Sequence, residues 1–189
     1  LSRPKGRHTR TPAEPRQVAR ALAAGHLVAV WRQRSECGPR ALGHRNLLCR
    51  TSGQVTRSYI NREVKKREWY RPYAALVLAE RADALLSDYR PEAPYMTTAA
   101  TIRPAWRVPL AAVCHVDHTT RPQVIRREHD PFTYEVVAEM AQMTGVPAVL
   151  STSFNRGAPM VETPVEAVTL FEDWPISHLV LDDQLYVKG

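Results

Sequence analysis

The chain has 189 residues, 44% of them hydrophobic and 24% charged, the balance of a globular domain with one sizeable core. No apolar run approaches the length of a membrane span, and the opening LSRPKGRHTR lacks the apolar stretch of a secretory signal, so a cytoplasmic protein is expected. The net charge of +7, from 26 Lys and Arg against 19 Asp and Glu, favours anionic partners without choosing among nucleic acid, nucleotide and phosphorylated metabolite.

Residues 1–14 read as a basic, solvated arm or linker, and residues 15–189 as one domain. The chain begins with Leu1 rather than methionine, as an excised or processed piece would. In "PRQVARALAAG" Pro15 suits a helix start, Val18, Ala19 and Leu22 share a face, and Gly25 supplies the stop. "HLVAVWR" is a short apolar run consistent with a buried strand. Thr51 and Gln54 have capping-box spacing at the head of a second helix, "TSGQVTRSYINREVKK". "PYAALVLAE" then reads as a strand and "RADALLSDY" as a short helix. From Arg90 to Val124 the chain resists a helical reading, and "PLAAVCHVDH" is the best strand candidate there.

"DPFTYEVVAEMAQMTG" is the clearest helix, with Asp130 to cap it, Pro131 at its first position and Gly145 to end it; Phe132, Val136, Val137, Met140 and Ala141 form its apolar stripe. "VPAVL" is a strand, "STSFNRGAPMVE" a loop, and "TPVEAVTLFED" a helix opened by Thr163 and Glu166 in capping-box spacing. "HLVLDDQLYV" closes the chain as a strand or hairpin. The alternation of strands and helices predicts an α/β domain with a mixed sheet and flanking helices. Three cysteines, Cys37, Cys49 and Cys114, are odd in number without C-x-x-C spacing, which argues against a disulfide framework or a cysteine zinc site; they read as buried or half-buried thiols.

Polar groups gather in RSECGPRALGHR, VKKREWYRP, HVDHTTRPQ and STSFNRGAP, at predicted strand ends and in loops, where sites usually sit. In the first, Arg40 and Arg45 lie in backbone braced by Gly38, Pro39 and Gly43. In the second, Lys65, Lys66 and Arg67 could simply complement a helix end. Arg71, however, precedes Pro72, which forces extended backbone and gives the side chain a defined direction for a phosphate or carboxylate. Ser151, Thr152, Ser153 and Asn155, near Gly157, could line a pocket for phosphate or ribose oxygens, or form a hydrogen-bonded turn. His115 and Asp117, if in a strand, would share a face with His118 nearby, a set too small for a metal centre, so no metal ligands are assigned. Arg121 is a further directed cation. Should the four segments meet, six cations, Arg40, Arg45, Lys65, Arg67, Arg71 and Arg121, would make a polyphosphate pocket able to align an in-line attack at phosphorus.

The segments "RSECGPRALGHR", "VKKREWYRPYA", "HVDHTTRPQ", "TGVPAVLSTSFN" and "TPVEAVTLF", in that order, resemble the C-terminal domain of the nodulation-type O-carbamoyltransferases, from Val18 to Lys188. That resemblance implies a twisted, mixed, open α/β sheet similar to the threonylcarbamoyl-adenylate synthase fold. It further implies that carbamoyl phosphate and ATP, with Mg2+, yield carbamoyl-adenylate and pyrophosphate. A separate N-terminal transferase domain, absent from these residues, would pass the carbamoyl group to a hydroxyl of a natural product such as an antibiotic.

On the matching positions, Lys65, Arg121 and Ser153 form the catalytic set, while Arg40, Arg45, Arg67, Arg71 and Asn155 bind carbamoyl phosphate or nucleotide. The chain departs from the family pattern at His44 (usually Asn), Asn46 (usually Ser), His118 (commonly Gly), Ser151 (commonly Asn) and in "CRTS", where an acidic run is usual. The loop after Asn155 is shortened, with Ala158 in place of an acidic residue. Two other readings stay open: a basic RNA-binding module on a related fold, and a silent domain that supports a partner transferase.

Overall fold

Three segments of the chain are buried at every position: Val28–Trp31, Arg45–Cys49 and Ala74–Leu78. A strand with no wet side belongs inside a sheet covered on both faces. In the computed structural model, which describes residues 6–91 and 94–189, that is what surrounds them.

In chain order the elements are β1 (His8–Pro12), α1 (Pro15–Ala23), β2 (Val28–Trp31), β3 (Arg45–Cys49) and α2 (Gln54–Tyr59), which runs into a π-helical turn at Ile60–Val64. Then come β4 (Ala74–Leu78), a 3-10 turn (Ala79–Arg81), α3 (Ala82–Leu85), β5 (Ala100–Thr101), a second 3-10 turn (Pro104–Trp106) and β6 (Thr119–Ile125). The chain closes with α4 (Pro131–Thr144), β7 (Ala148–Ser153), α5 (Pro164–Asp173), β8 (His178–Leu181) and β9 (Gln184–Lys188). The strands form one open mixed sheet in the order β1-β9-β8-β2-β3-β7-β4-β6-β5. Among the described residues only β2–β8 and β4–β6 are parallel pairs.

Alternate residues of the central strands feed two cores. Ala29, Leu47, Ala75, Leu150 and Leu179 meet α5 and the loop that buries Leu110 and Val113. Val28, Leu48, Leu76, Val149 and Val180 meet α1 and α4 through Val18, Leu22, Val136, Val137 and Met140. The second of these faces carries the candidate site.

Local signals hold where the cap chemistry is complete. The Thr133 N–H donates to the Asp130 side chain, Pro131 opens α4 and Gly145 closes it at φ 75°. Thr163 and Glu166 form a reciprocal capping box at α5. At α2 the capping-box reading is corrected: Gly53 is the cap residue with no side-chain cap bond, and the Thr51 hydroxyl donates to the Pro109 carbonyl instead.

The strand expected at "PLAAVCHVDH" is also corrected. Residues 107–113 are turns in which most N–H groups find carbonyls three or four residues back, as in Leu110 to Trp106 and Val113 to Leu110, while Ala112 donates to the Thr51 carbonyl. Leu110, Ala112 and Val113 are buried all the same, so burial was legible but the ladder was not. The strand begins later, at Thr119. Of the expected arm, residues 1–5 lie outside the described residues, while His8–Pro12 pair antiparallel with β9 as an edge strand exposed from Thr9 onward. Cys49 is buried and Cys114 half-buried as expected, whereas Cys37 is exposed.

Candidate active site

Cross-strand register brings the polar segments together. On neighbouring strands Arg121 stands opposite Ala74 and Ala74 opposite Ser151, while Ser153 stands opposite Asn46. Opposed residues share a face, so Arg121, Ser151, Ser153 and Asn46 all emerge on the α1–α4 side. Residues 39–41 and 67–73 fold over this end of the sheet and close a cavity of about 110 Å³. Arg40, Arg67, Arg121, Tyr73 and residues 151–153 line it, and among the described residues no carboxylate does.

The three arginines are differently held. The Arg67 Nε donates to Asn61 Oδ1 at 2.8 Å and its guanidinium lies 4.7 Å from the Tyr73 ring centroid, while its Nη2 is buried without a partner. Burial and, after it, the nearby Arg40 charge both lower the Arg121 pKa. Two cations that repel across a polar cavity with an unpaired donor have an anion as their natural complement. Arg40 is exposed and borders both this cavity and a larger one.

The other expected site residues are placed differently. Lys65 is 5% exposed, and its ammonium donates to the Ser153 carbonyl, to the Asn155 carbonyl at 2.8 Å and to Asn155 Oδ1 at 3.0 Å. Desolvation, with Arg67 and Arg156 alongside, pulls its pKa down to about 7. The Ser153 hydroxyl donates to Asn155 Oδ1 at 2.6 Å, and Asn155 Nδ2 donates to the Ala158 carbonyl. Lys65 and Asn155 therefore shape the turn after β7; neither lines the cavity that Ser153 borders. Arg71 is an exposed partner of Glu68 at 2.9 Å.

Arg45 is placed elsewhere. It alternates with Asn46 in β3, so its side chain leaves the opposite face, where its guanidinium lies 4.3 Å from the Trp31 ring centroid. There it donates to the carbonyls of Arg32, His44 and Gln33. Burial lowers its pKa against the opposing pull of Glu36, Glu162 and Asp182. It braces the loop and does not line the small cavity.

The larger cavity, about 630 Å³, shares Pro39 and Arg40 with the small one. Its wall includes His44, whose Nδ1 meets the Arg34 carbonyl at 2.7 Å and so must carry the proton. Two of the positions expected to depart from the family pattern are two ends of one bond: Asn46 Nδ2 donates to Ser151 Oγ at 2.6 Å. A third, His118, has φ 65°, the left-handed region where glycine is unstrained. His115, Asp117 and His118 lie in a turn rather than a strand, with Asp117 Oδ1 accepting from Thr119 N–H and hydroxyl. Among the described residues no three of His, Cys, Asp and Glu gather as metal ligands.

Sequence reasoning missed three organising residues. Asn61, 1% exposed, donates to the carbonyls of Trp69 and Arg71 and accepts from Arg67 and Tyr73. The signal was an amide on the apolar face of a helix. Glu36 Oε1 accepts from the N–H groups of Leu42, His44 and Arg45, and Gln123 Nε2 donates to the Leu42 carbonyl. Neither has a spacing that announces it.

Residues 19–188 match the family described as the carbamoyltransferase C-terminus. Nodulation protein NolNO of Sinorhizobium fredii is 39% identical over 175 residues, 91% of this chain and 26% of its own length. The 3'-hydroxymethylcephem-O-carbamoyltransferase of Amycolatopsis lactamdurans is 35% identical over 185 residues, 97% of this chain and 35% of its own. A HypF crystallised full-length in a phosphate- and nucleotide-bound form superposes with a TM-score of 0.64 at 18% identity, covering 91% of this chain and 25% of that one. Sua5 of P. abyssi gives 0.54 at 15%, covering 84% and 43%. The chain belongs to the carbamoyltransferase C-terminal family, on a fold of the threonylcarbamoyl-adenylate synthase type. It spans between about a quarter and a third of the length of the curated relatives it matches.

Proposed function

We propose that this domain forms carbamoyl-adenylate from carbamoyl phosphate and ATP, as the C-terminal part of an enzyme that carbamoylates a hydroxyl of a natural product. The observation that carries the reading is the small cavity where Arg40, Arg67 and Arg121 converge, with no carboxylate lining it among the described residues. In the balanced chemistry, water releases inorganic phosphate from carbamoyl phosphate. A carbamate oxygen then bonds to the α-phosphorus of ATP as the bond to the leaving pyrophosphate breaks. Negative charge accumulates on phosphoryl oxygens throughout, and fixed guanidinium groups in a water-poor cavity stabilise it. In this role Arg67 and Arg121 contact the anions, Arg40 spans the two cavities, and Ser151 and Ser153 offer hydroxyls. Lys65 and Asn155 act as positioning residues through the turn that carries Ser153. The transfer step is assigned to the rest of the enzyme, and magnesium, for which no three His, Cys, Asp or Glu gather among the described residues, would be carried by the nucleotide's own phosphates.

The test is exchange of labelled pyrophosphate into ATP. The chain should catalyse it only when carbamoyl phosphate is present, and Arg121→Ala should reduce it at least about a hundredfold, the scale for loss of one transition-state charge contact, while the melting temperature holds. Exchange at the wild-type rate in Arg121→Ala would remove the cavity from the chemistry. Failure to bind either substrate would mark a silent domain.

A further inference from the structure

The chain that runs along the outer edge of β6 falls out of step with it opposite Arg121. The Pro94 carbonyl accepts from the Val124 N–H at 2.9 Å, Tyr95 bridges Gln123, and the Met96 N–H donates to the Pro122 carbonyl at 3.2 Å. Further on, Ala100 pairs with Thr120 and Thr101 with Thr119 in β5. Five steps from Tyr95 to Ala100 thus match three from Gln123 to Thr120, and residues 97–99 crowd the place of one. Bulges of this kind gather beside active sites, where they re-aim a side chain.

Met96 opens the bulge. Its φ is 59°, in the left-handed region that glycine adopts without cost and methionine does not. Strained backbone of this kind persists where the surrounding structure over-determines it, and it clusters at sites that clamp a ligand. The two residues at the bulge part company: Tyr95 borders the larger cavity, and Met96 borders the small one beside Arg121. Met96 is 8% exposed. Among the described residues that line the small cavity it is the only long uncharged aliphatic side chain, since the other aliphatic walls are the short Pro39, Ala41, Pro72 and Ala74. Sheet register fixes the polar wall formed by Arg121, Ser151 and Ser153. The reach of the Met96 thioether therefore sets how much of the cavity, about 110 Å³, stays open.

We infer that Met96 is a specificity-determining residue, whose side chain closes the small cavity to acyl phosphates with an acyl group longer than carbamoyl. The inference rests on the reading of this cavity as the carbamoyl phosphate site and names what limits its size. The arginines attract any acyl phosphate alike, because they answer the phosphate charge. Discrimination by length needs an apolar stop, and forcing further methylenes against a packed one is costly.

Calorimetry with carbamoyl phosphate, pentanoyl phosphate and inorganic phosphate tests this. Pentanoyl extends the acyl group by as many chain atoms as Met96→Ala removes, namely Cγ, Sδ and Cε. The wild-type chain should bind carbamoyl phosphate at least about tenfold more tightly than pentanoyl phosphate, within the range for overpacking a filled site. Met96→Ala should tighten pentanoyl phosphate by about tenfold and leave inorganic phosphate unchanged. Met96→Leu, which conserves volume, should keep the wild-type ratio. A methionine placed there only to be buried would leave that ratio alone, or weaken all three ligands together. Melting curves verify folding, and Met96→Gly, which relieves the backbone, takes the place of the alanine variant if that one does not fold. Equal affinities for the two acyl phosphates in the wild type, or an unaltered ratio in Met96→Ala, overturns the inference and leaves the carbamoyl phosphate reading intact. Failure of the wild type to bind carbamoyl phosphate overturns both.

Discussion

Asn46 and Ser151 show how single residues carry information that a motif comparison hides. Taken one at a time, each reads as an expected departure from a family pattern of Ser and Asn at these positions. Together they form the two ends of one cross-strand hydrogen bond between β3 and β7. Asn46 also accepts from the Gly43 N–H at 2.7 Å, so the pair ties the 42–45 loop to the strand that bears the site serines. Asn46→Ser and Ser151→Asn should each destabilise the chain by about 1–2 kcal/mol, as loss of a buried partner does. The double exchange should recover about 1 kcal/mol or more relative to the sum of the single effects. Urea unfolding of the four proteins of this cycle measures the coupling, and strict additivity would mean that the two sites act independently.

At the scale of elements, helices with complete caps were legible from a few residues, and the segments between them were not. Asp130, Pro131 and Gly145 delimit α4, and Thr163 with Glu166 opens α5, because each cap satisfies backbone groups within its own few residues. In "PLAAVCHVDH" the apolar pattern reported burial correctly, yet burial alone does not say whether N–H groups find partners nearby or on another strand. The turn at 115–118 follows from the same local bonding. His118 holds φ 65° there, a conformation that costs a non-glycine residue about 1–2 kcal/mol. His118→Gly should therefore raise stability by up to about 1 kcal/mol after the glycine's greater unfolded-state entropy is deducted. The chemical-denaturation midpoint measures it, and a lower midpoint would show that the imidazole makes a contact worth more than the strain.

For the whole molecule, stability is tied to the proton on Lys65. Its folded pKa, about 7, lies below the ordinary value of 10.5. Between these two pH values the unfolded chain holds a proton that the folded chain has released, so stability rises with pH across that window. Below about pH 7 both states are protonated, and this contribution is flat. The difference in unfolding free energy between wild type and Lys65→Met should shift in favour of wild type as pH rises through the window. A flat difference would mean that the ammonium keeps its proton through its three acceptors, Ser153 O, Asn155 O and Asn155 Oδ1. An anion in the neighbouring cavity should steady that charged form, which couples the site to the stability of the chain.

The sequence by itself determined the α/β character of the chain, its main helices, most of its strands and the segments that supply the site. Periodicity, caps and directed cations are local properties, written in the order of the residues. Only the tertiary structure decided which cations face the cavity. Arg40 and Arg45 sit five positions apart in one motif, yet Arg45 follows the strand's alternation to the far face and spends its donors on backbone carbonyls. Arg121 and Ser151, thirty positions apart, meet across β4 because register places Ala74 between them. Which face a strand residue takes is set by pairing with other strands, and pairing is a property of the whole sheet.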